Sequence, residues 1–281
     1  MNEFEIIKKY FQRSPVSRPD VILGSGDDCA LLKIPADQLL AVSTDTLISG
    51  IHFPVDFPPY DIGYKALAVS LSDLAAMSAE PAWFTCALTL VQAESYWLDE
   101  FAKGLFDCAK KFNVQLVGGD LTHGTALSMT VTVHGFVPQK DAVKRSGAKV
   151  GDIIYLSGKL GGAFSKKFYH RPEPKIELSL TLRGKIHSAI DISDGLVADL
   201  SHILNASDVG ASLFLDKIPL VSEEGLTSGD DYELCFTAPE NLVLPNLGVY
   251  PIGKIESEKG LRIIQQDGSL LNINKTGYKH F

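Results

Sequence analysis

Lys65-Ala66-Leu67-Ala68-Val69-Ser70-Leu71-Ser72-Asp73-Leu74-Ala75-Ala76-Met77 carries a single carboxylate, and no other charged residue occurs between Lys65 and Glu80. The segment lies in a stretch, 61–79, that reads as one helix. A helix apolar nearly all round is a buried helix. A carboxylate there is costly unless it is hydrogen-bonded, ion-paired or bound to a metal. A helix cap or a structural ion pair is the competing reading of Asp73.

Outward from this helix, strands and helices alternate. Strand-like runs at 29–34 and 39–44 precede it, and a strand at 82–91 follows. Then come a helix at 95–112, a short strand at 114–117 and a strand at 127–137. Phe4, Ile7, Lys8 and Phe11 stand at helical spacing, which predicts a short amphipathic helix over 3–12. Pro138 to Gly151 is polar and reads as a linker. Beyond it the alternation resumes: strands at 152–157, 188–192, 211–215, 231–237 and 248–255, and helices at 176–185 and 195–206. The pattern implies an α/β (α+β) protein of two domains, residues 1–137 and 138–281.

A chain of 281 residues, 45% hydrophobic, is long enough to bury a sizeable core. No apolar run reaches the length of a membrane span. The first ten residues lack the apolar stretch of a signal peptide, so a cytoplasmic location is the default expectation. None of the four cysteines forms a C-x-x-C pair, and Cys86, Cys108 and Cys235 lie in apolar surroundings, as buried free thiols do. The net charge of −8 argues against nucleic-acid binding. It is compatible with polyphosphate ligands when metal cations stand between carboxylates and phosphates.

Five short acidic segments supply that chemistry: Gly26-Asp27-Asp28, Ser43-Thr44-Asp45-Thr46, Ser72-Asp73, Gly118-Gly119-Asp120 and Asp191-Ile192-Ser193-Asp194-Gly195. Carboxylates beside hydroxyls are the donor set that hard cations such as magnesium take. Each segment alone has a plainer reading. The first and fourth are ordinary turns, and Ser193 or Asp194 is an N-cap of the helix that follows. No P-loop and no dinucleotide fingerprint is present. A lone His52 is commonly structural, and Arg145 sits in a loop where a guanidinium could meet a phosphate.

In this order along the chain, these segments resemble the thiamine-monophosphate kinase family. Gly26-Asp27-Asp28-Cys29-Ala30, Ser43-Thr44-Asp45-Thr46-Leu47, Gly50-Ile51-His52-Phe53, Leu71-Ser72-Asp73-Leu74-Ala75-Ala76-Met77, Arg145-Ser146-Gly147-Ala148 and Asp231-Tyr232-Glu233-Leu234-Cys235-Phe236 all carry the likeness. It implies the fold shared with aminoimidazole ribonucleotide synthetase and selenophosphate synthetase. In that fold an N-terminal α/β domain pairs across a homodimer, with ATP and several magnesium ions in the cleft between domains. The reaction implied is transfer of the ATP γ-phosphoryl group to thiamine monophosphate, giving thiamine diphosphate. By position, the resemblance makes Asp28, Ser43, Thr44, Asp45, Asp73, Asp120, Asp191 and Asp194 metal ligands. It gives Gly118, Gly119, Arg145 and Ser193 to ATP, and His52, Asp230 and Lys275 to the thiamine phosphate.

The chain departs from the family pattern in four ways. The stretches 158–171 and 220–226 are short. Asp230 stands where the family has glutamate. Lys275 stands where it has a stacking aromatic. Leu121 and His123 stand where it usually has threonine and arginine. Two alternatives remain beside the kinase: a sister enzyme of the same superfamily, or a non-catalytic nucleotide- or metal-binding relative. Selenophosphate synthetase normally has a reactive cysteine near its N-terminus, and no cysteine precedes Cys29. Aminoimidazole ribonucleotide synthetase fits poorly with the Ser43–Thr46 and Asp231–Leu234 segments.

Overall fold

The computed structural model describes residues 1–12, 14–165, 171–242, 244, 247–273 and 277–279. The chain divides into two compact units. The first is Met1–Leu74, Ala79–Gln139 and His170–Pro172; the second is Ala75–Ser78, Lys140–Tyr169 and Glu173–Phe281.

In the first unit, α1 (Glu3–Ile6) continues without a break into a wider π-helical turn, Ile7–Phe11. Asn2 and Glu5 form a reciprocal capping box that starts this helix. Two short strands, β1 (Val21–Leu23) and β2 (Leu31–Leu32), pair antiparallel. The main elements are β3 (Gln38–Ile48), α2 (Pro59–Ala76), β4 (Glu80–Leu90), α3 (Ser95–Lys111), β5 (Gln115–His123) and β6 (Ser128–Pro138). The four long strands form one sheet in the order β3-β6-β4-β5. β6 is antiparallel to both neighbours, and β4 and β5 are parallel with α3 as their crossover.

The helix α2 is buried nearly all round, as its composition requires. Leu67, Leu71 and Leu74 are at most 1% exposed, and even Lys65 is fully buried. The Ser70 hydroxyl donates to the Val131 carbonyl, which places α2 on one face of the sheet.

The second unit contains β7 (Ile153–Leu156), α4 (Gly162–Ser165), α5 (Ile176–Leu182), β8 (Ser188–Asp191), α6 (Leu196–Ser207), β9 (Gly210–Phe214), β10 (Leu234–Ala238), β11 (Tyr250–Glu256) and β12 (Gly260–Ile264). Its sheet runs β12-β9-β11-β7-β10-β8, antiparallel except for the β12–β9 pair. Leu200, Ile203 and Leu204 of α6 pack with Ile154, Leu156 and Leu213 in its core.

The expected strand at 29–34 shrinks to two residues, and β1 and β12 lacked a sequence signal strong enough to read. The expected break after residue 117 is absent, because β5 continues straight through the paired glycines. Among the described residues no helix is long and apolar enough to cross a membrane. Cys29 is exposed, and Cys86, Cys108 and Cys235 are buried thiols.

Candidate functional site

Strand alternation sorts the hydroxyls and carboxylates of β3 onto two faces. Ser43 and Asp45 face α2. The Ser43 hydroxyl donates to Oδ2 of Asp73 at 2.5 Å. Burial, and then the charge of Asp73, push the Asp45 carboxyl up to about 6; the Ser70 hydroxyl opposes them. Oδ2 of Asp45 is buried and has no hydrogen-bond partner among the described residues. Asp73 lies three residues before the C-terminal end of α2, the end whose dipole disfavours a carboxylate. The cap reading therefore fails, since side-chain caps by carboxylates belong at helix N-termini.

Thr44 points the other way. Its hydroxyl meets that of Thr132 at 3.0 Å on the opposite, exposed face, and Thr46 meets Thr130 at 2.8 Å. Any contact of Thr44 with a ligand on the Asp45 face has to come from its main chain.

Gly118, Gly119 and Asp120 are strand residues opposite Thr85, Cys86 and Ala87. A Cβ at Gly119 would stand 2.0 Å from the Cys86 carbonyl oxygen, so close strand packing, rather than a turn, explains the glycine. Asp28 and Asp120 are exposed and line a common cavity of about 490 Å3 with both glycines. Nδ1 of His52 accepts from the Ile48 amide at 3.0 Å, which leaves the proton of the neutral ring on Nε2.

In the second unit, Asp191 ends β8 and is 5% exposed. The loop after it is locked by main-chain bonds. The Asp230 amide donates to the Ser193 carbonyl at 2.9 Å, and the Tyr232 amide to the Ile192 carbonyl at 2.8 Å. Asp230 and Tyr232 both hold left-handed backbone (φ 72° and 52°), unusual for residues with a side chain. A Cβ at Gly229 would stand 1.9 Å from the Ser193 oxygen. Asp191, Ser193, Asp194 and Asp230 thus share one interlocked pair of loops. Arg145 is exposed on a neighbouring loop, whose Gly147 and Ala148 amides donate to the Ser207 hydroxyl. Lys275 lies outside the described residues.

Among the described residues no three His, Cys, Asp or Glu side chains come together as a ready cage for a metal. The Asp45–Asp73 pair nevertheless fits magnesium. That ion usually takes one or two carboxylates and completes its shell with water and substrate phosphate. The buried unpartnered oxygen of Asp45 and the mutual repulsion of the pair are the features a cation would relieve.

Residues 26–137 match the AIR synthase related protein N-terminal domain, and residues 116–265 the corresponding C-terminal domain. A thiamine-monophosphate kinase of Escherichia coli (strain K12) is 45% identical over 320 residues, covering 99% of this chain and 98% of that protein. The chain belongs to the thiamine-monophosphate kinase family. The aligned length exceeds the 281 residues of the chain, so the Escherichia coli protein carries stretches that are missing here.

Two solved structures of the family share the architecture. The thiamine-monophosphate kinase of Stenotrophomonas maltophilia K279a superposes with a TM-score of 0.83 at 39% identity, covering 91% of this chain and 93% of that one. AaThiL complexed with AMPPCP and TMP superposes with a TM-score of 0.79 at 28% identity, covering 88% and 89%.

Two further carboxylates shape the site: Asp199, which the sequence reading did not single out, and Asp231, which it named only within the Asp231–Phe236 segment. Asp199, in the first turn of α6, accepts from the Asp194 and Gly195 amides, both at 3.0 Å. Burial, with the nearby Asp194 charge, pushes it up to about 7 against these amide bonds. Asp231 accepts from the Gly161 and Ala163 amides at 2.7 and 3.3 Å. A carboxylate four residues inside a helix, i to i+4 from a glycine N-cap, is the only hint available for Asp199.

Proposed function

We propose that this chain phosphorylates thiamine monophosphate with ATP to form thiamine diphosphate. The observation that carries the reading is the Ser43–Asp45–Asp73 cluster, in a chain that aligns with a family kinase over its whole length. The acceptor is a phosphate monoester, already largely dianionic near neutral pH (second pKa about 6), so no side chain has to take a proton from it. Positioning and charge management are what remain for the protein to supply.

In the first unit Asp28, Ser43, Asp45, Asp73 and Asp120, with the main chain of Thr44, would hold magnesium, and in the second unit Asp191 and Asp194 would do so; bound magnesium would supply positive charge against the phosphates. Gly118 lets phosphate oxygens approach the main chain without a side chain in the way, and Gly119 lines the same cavity. Arg145 offers a planar fork of donors to a phosphate, and Ser193 a hydroxyl. For the acceptor, His52 donates from Nε2 to the phosphate. Asp230 offers its carboxylate to the cationic thiamine moiety, and Lys275 its ammonium to the phosphate. The domain roles follow: residues 1–137 bind metal and ATP, and residues 138–281 form the second α/β domain.

We further propose a homodimer through the first unit. β3 is an edge strand, and Leu39, Leu40 and Val42 on it are exposed, as are Ile22 and Leu31 on the neighbouring hairpin. An exposed apolar edge of this kind is a pairing surface unless something covers it. Sedimentation of the chain at micromolar concentration should give about twice its 30.5 kDa mass.

The activity test is product formation from ATP, magnesium and thiamine monophosphate. Thiamine diphosphate and ADP should appear in equal amounts. ADP without thiamine diphosphate, or no turnover, would overturn the assignment.

A further inference from the structure

The last residue of α6 is tied to the loop that carries Arg145. The Ser207 hydroxyl accepts from the Gly147 amide at 3.1 Å and from the Ala148 amide at 3.2 Å, and it donates to the Arg145 carbonyl at 3.3 Å. A serine hydroxyl has one proton and two lone pairs, and here all of them go to a single loop. Ser201, earlier in the same helix, shows the ordinary alternative. Its hydroxyl folds back onto the Val197 carbonyl at 2.6 Å, within the helix itself.

The rest of the loop is held as well, by contacts that leave the Arg145 side chain out. The Lys144 carbonyl accepts from the Ala189 amide at 3.1 Å. Ala148 is buried in the core that contains Leu200, Ile203 and Leu204 of α6. The Lys149 amide donates at 2.8 Å to the carboxylate of Asp152, a residue only 3% exposed. Of these contacts, only the Ser207 bond reaches the main chain of Arg145 itself. The arginine side chain stays exposed above this fixed base. A guanidinium is a rigid fork on a flexible stem, so its match to a phosphate depends on where the stem starts.

We infer that Ser207 is a positioning residue: it fixes the main chain at Arg145 so that the guanidinium meets a phosphate of the nucleotide. Ser207 acts through Arg145 and touches no substrate. The inference rests on the assignment of Arg145 to ATP above and adds to it a residue 62 positions further along the chain. A plainer role, a tie that only stabilises α6 against the loop, has different consequences. It would lower stability and the amount of active protein, and it would leave nucleotide affinity alone.

Ser207→Ala removes the hydroxyl from two amides and a carbonyl that water can reach in its place, so the chain should still fold. Calorimetric titration of the full chain with magnesium AMPPCP should show affinity reduced about fivefold to tenfold in this variant, with kcat at saturating ATP within about twofold of the parent. Ser207→Thr keeps the hydroxyl and should restore AMPPCP affinity to within about twofold. The deciding measurement is a double-variant cycle. Once Arg145→Ala has been made, adding Ser207→Ala should change AMPPCP affinity by less than about twofold, because the group it positions is gone.

Unchanged AMPPCP affinity in Ser207→Ala would overturn the inference, and so would a Ser207→Thr variant no better than Ser207→Ala. Equal losses in the parent and Arg145→Ala backgrounds would also overturn it, since Ser207 would then act on the fold rather than through Arg145. If Arg145→Ala binds AMPPCP as the parent does, the assignment of Arg145 fails and this inference with it, while the kinase reading stands. An unsubstituted chain that binds no AMPPCP would remove the kinase reading itself.

Discussion

Asp73 sits in an 18-residue helix that presses on a sheet, whereas Asp194 sits in the short loop between β8 and α6. In the first unit, regular elements hold the acids. Strand alternation turns Ser43 and Asp45 toward α2, and the contacts among them are between side chains. In the second, main-chain bonds between residues 192–193 and 230–233 hold them, helped by glycine and by left-handed backbone at Asp230 and Tyr232. The first arrangement tolerates a change of side chain without losing its shape. The second depends on backbone geometry that a single methyl group would disturb.

The largest effect expected from this contrast is chemical. Asp73→Asn keeps the helix and the Ser43 contact but removes the charge. Turnover should fall by about 1,000-fold or more, ~4 kcal/mol at the barrier, with the thermal midpoint nearly unchanged. A variant that turns over within tenfold of the parent at saturating magnesium would reduce Asp73 to a structural residue.

Gly229→Ala tests the other arrangement. The added Cβ meets the Ser193 oxygen at 1.9 Å, so the two loops must separate. Stability should drop by about 3 kcal/mol, read as a lower urea midpoint. An unchanged midpoint would mean that the loops are not the rigid pair described.

Asp231 gives a pH signature of intermediate size. Burial first, and then the charge of Glu233, push its carboxyl up to about 6, although the amides of Gly161, Ala163 and Gly162 favour its charged form. An unfolded aspartate loses its proton near 3.9, so between about pH 4 and 6 the folded chain binds more protons than the unfolded one. The carboxyl's unfavourable contribution therefore grows as pH rises through that window and is constant above it. Relative to Asp231→Asn, the parent should lose about 2 kcal/mol between pH 4 and 6.5 in denaturant titrations. Parallel curves for the two proteins would show that the site is better solvated than its 4% exposure implies.

The smallest effect belongs to Thr44→Val. Its hydroxyl pairs with Thr132 on the face away from Asp45, so turnover should stay within about twofold, while Ser43→Ala should cost at least about tenfold. Equal losses in the two variants would show that the face assignment of β3 is wrong.

The order of strands and helices was legible because each long element has a strong period. α2 is apolar nearly all round, β4 is a mostly apolar strand of eleven residues, and β6, equally long, alternates buried and half-buried residues along most of its length. The glycines of Gly118-Gly119 misled, because a glycine required by a neighbouring strand and one required by a turn look alike in one dimension. The apolar run at 29–34 overstated its strand, since only Leu31 and Leu32 pair, as β2.

What the sequence determined by itself is the inventory: a lone carboxylate in a buried helix, acidic segments beside hydroxyls, and an order of motifs that names the family. Residue type and spacing along the chain are enough for these, because burial cost and metal-donor chemistry belong to the residues themselves. Only the tertiary structure decided which faces meet. It turned Asp45 toward Asp73 and Thr44 away, brought Asp230 to Ser193 across 37 residues of chain, and set the N-terminal helix over the Gly118–Gly119 strand. Those contacts depend on register and packing between segments far apart in sequence, for which no local pattern carries a record.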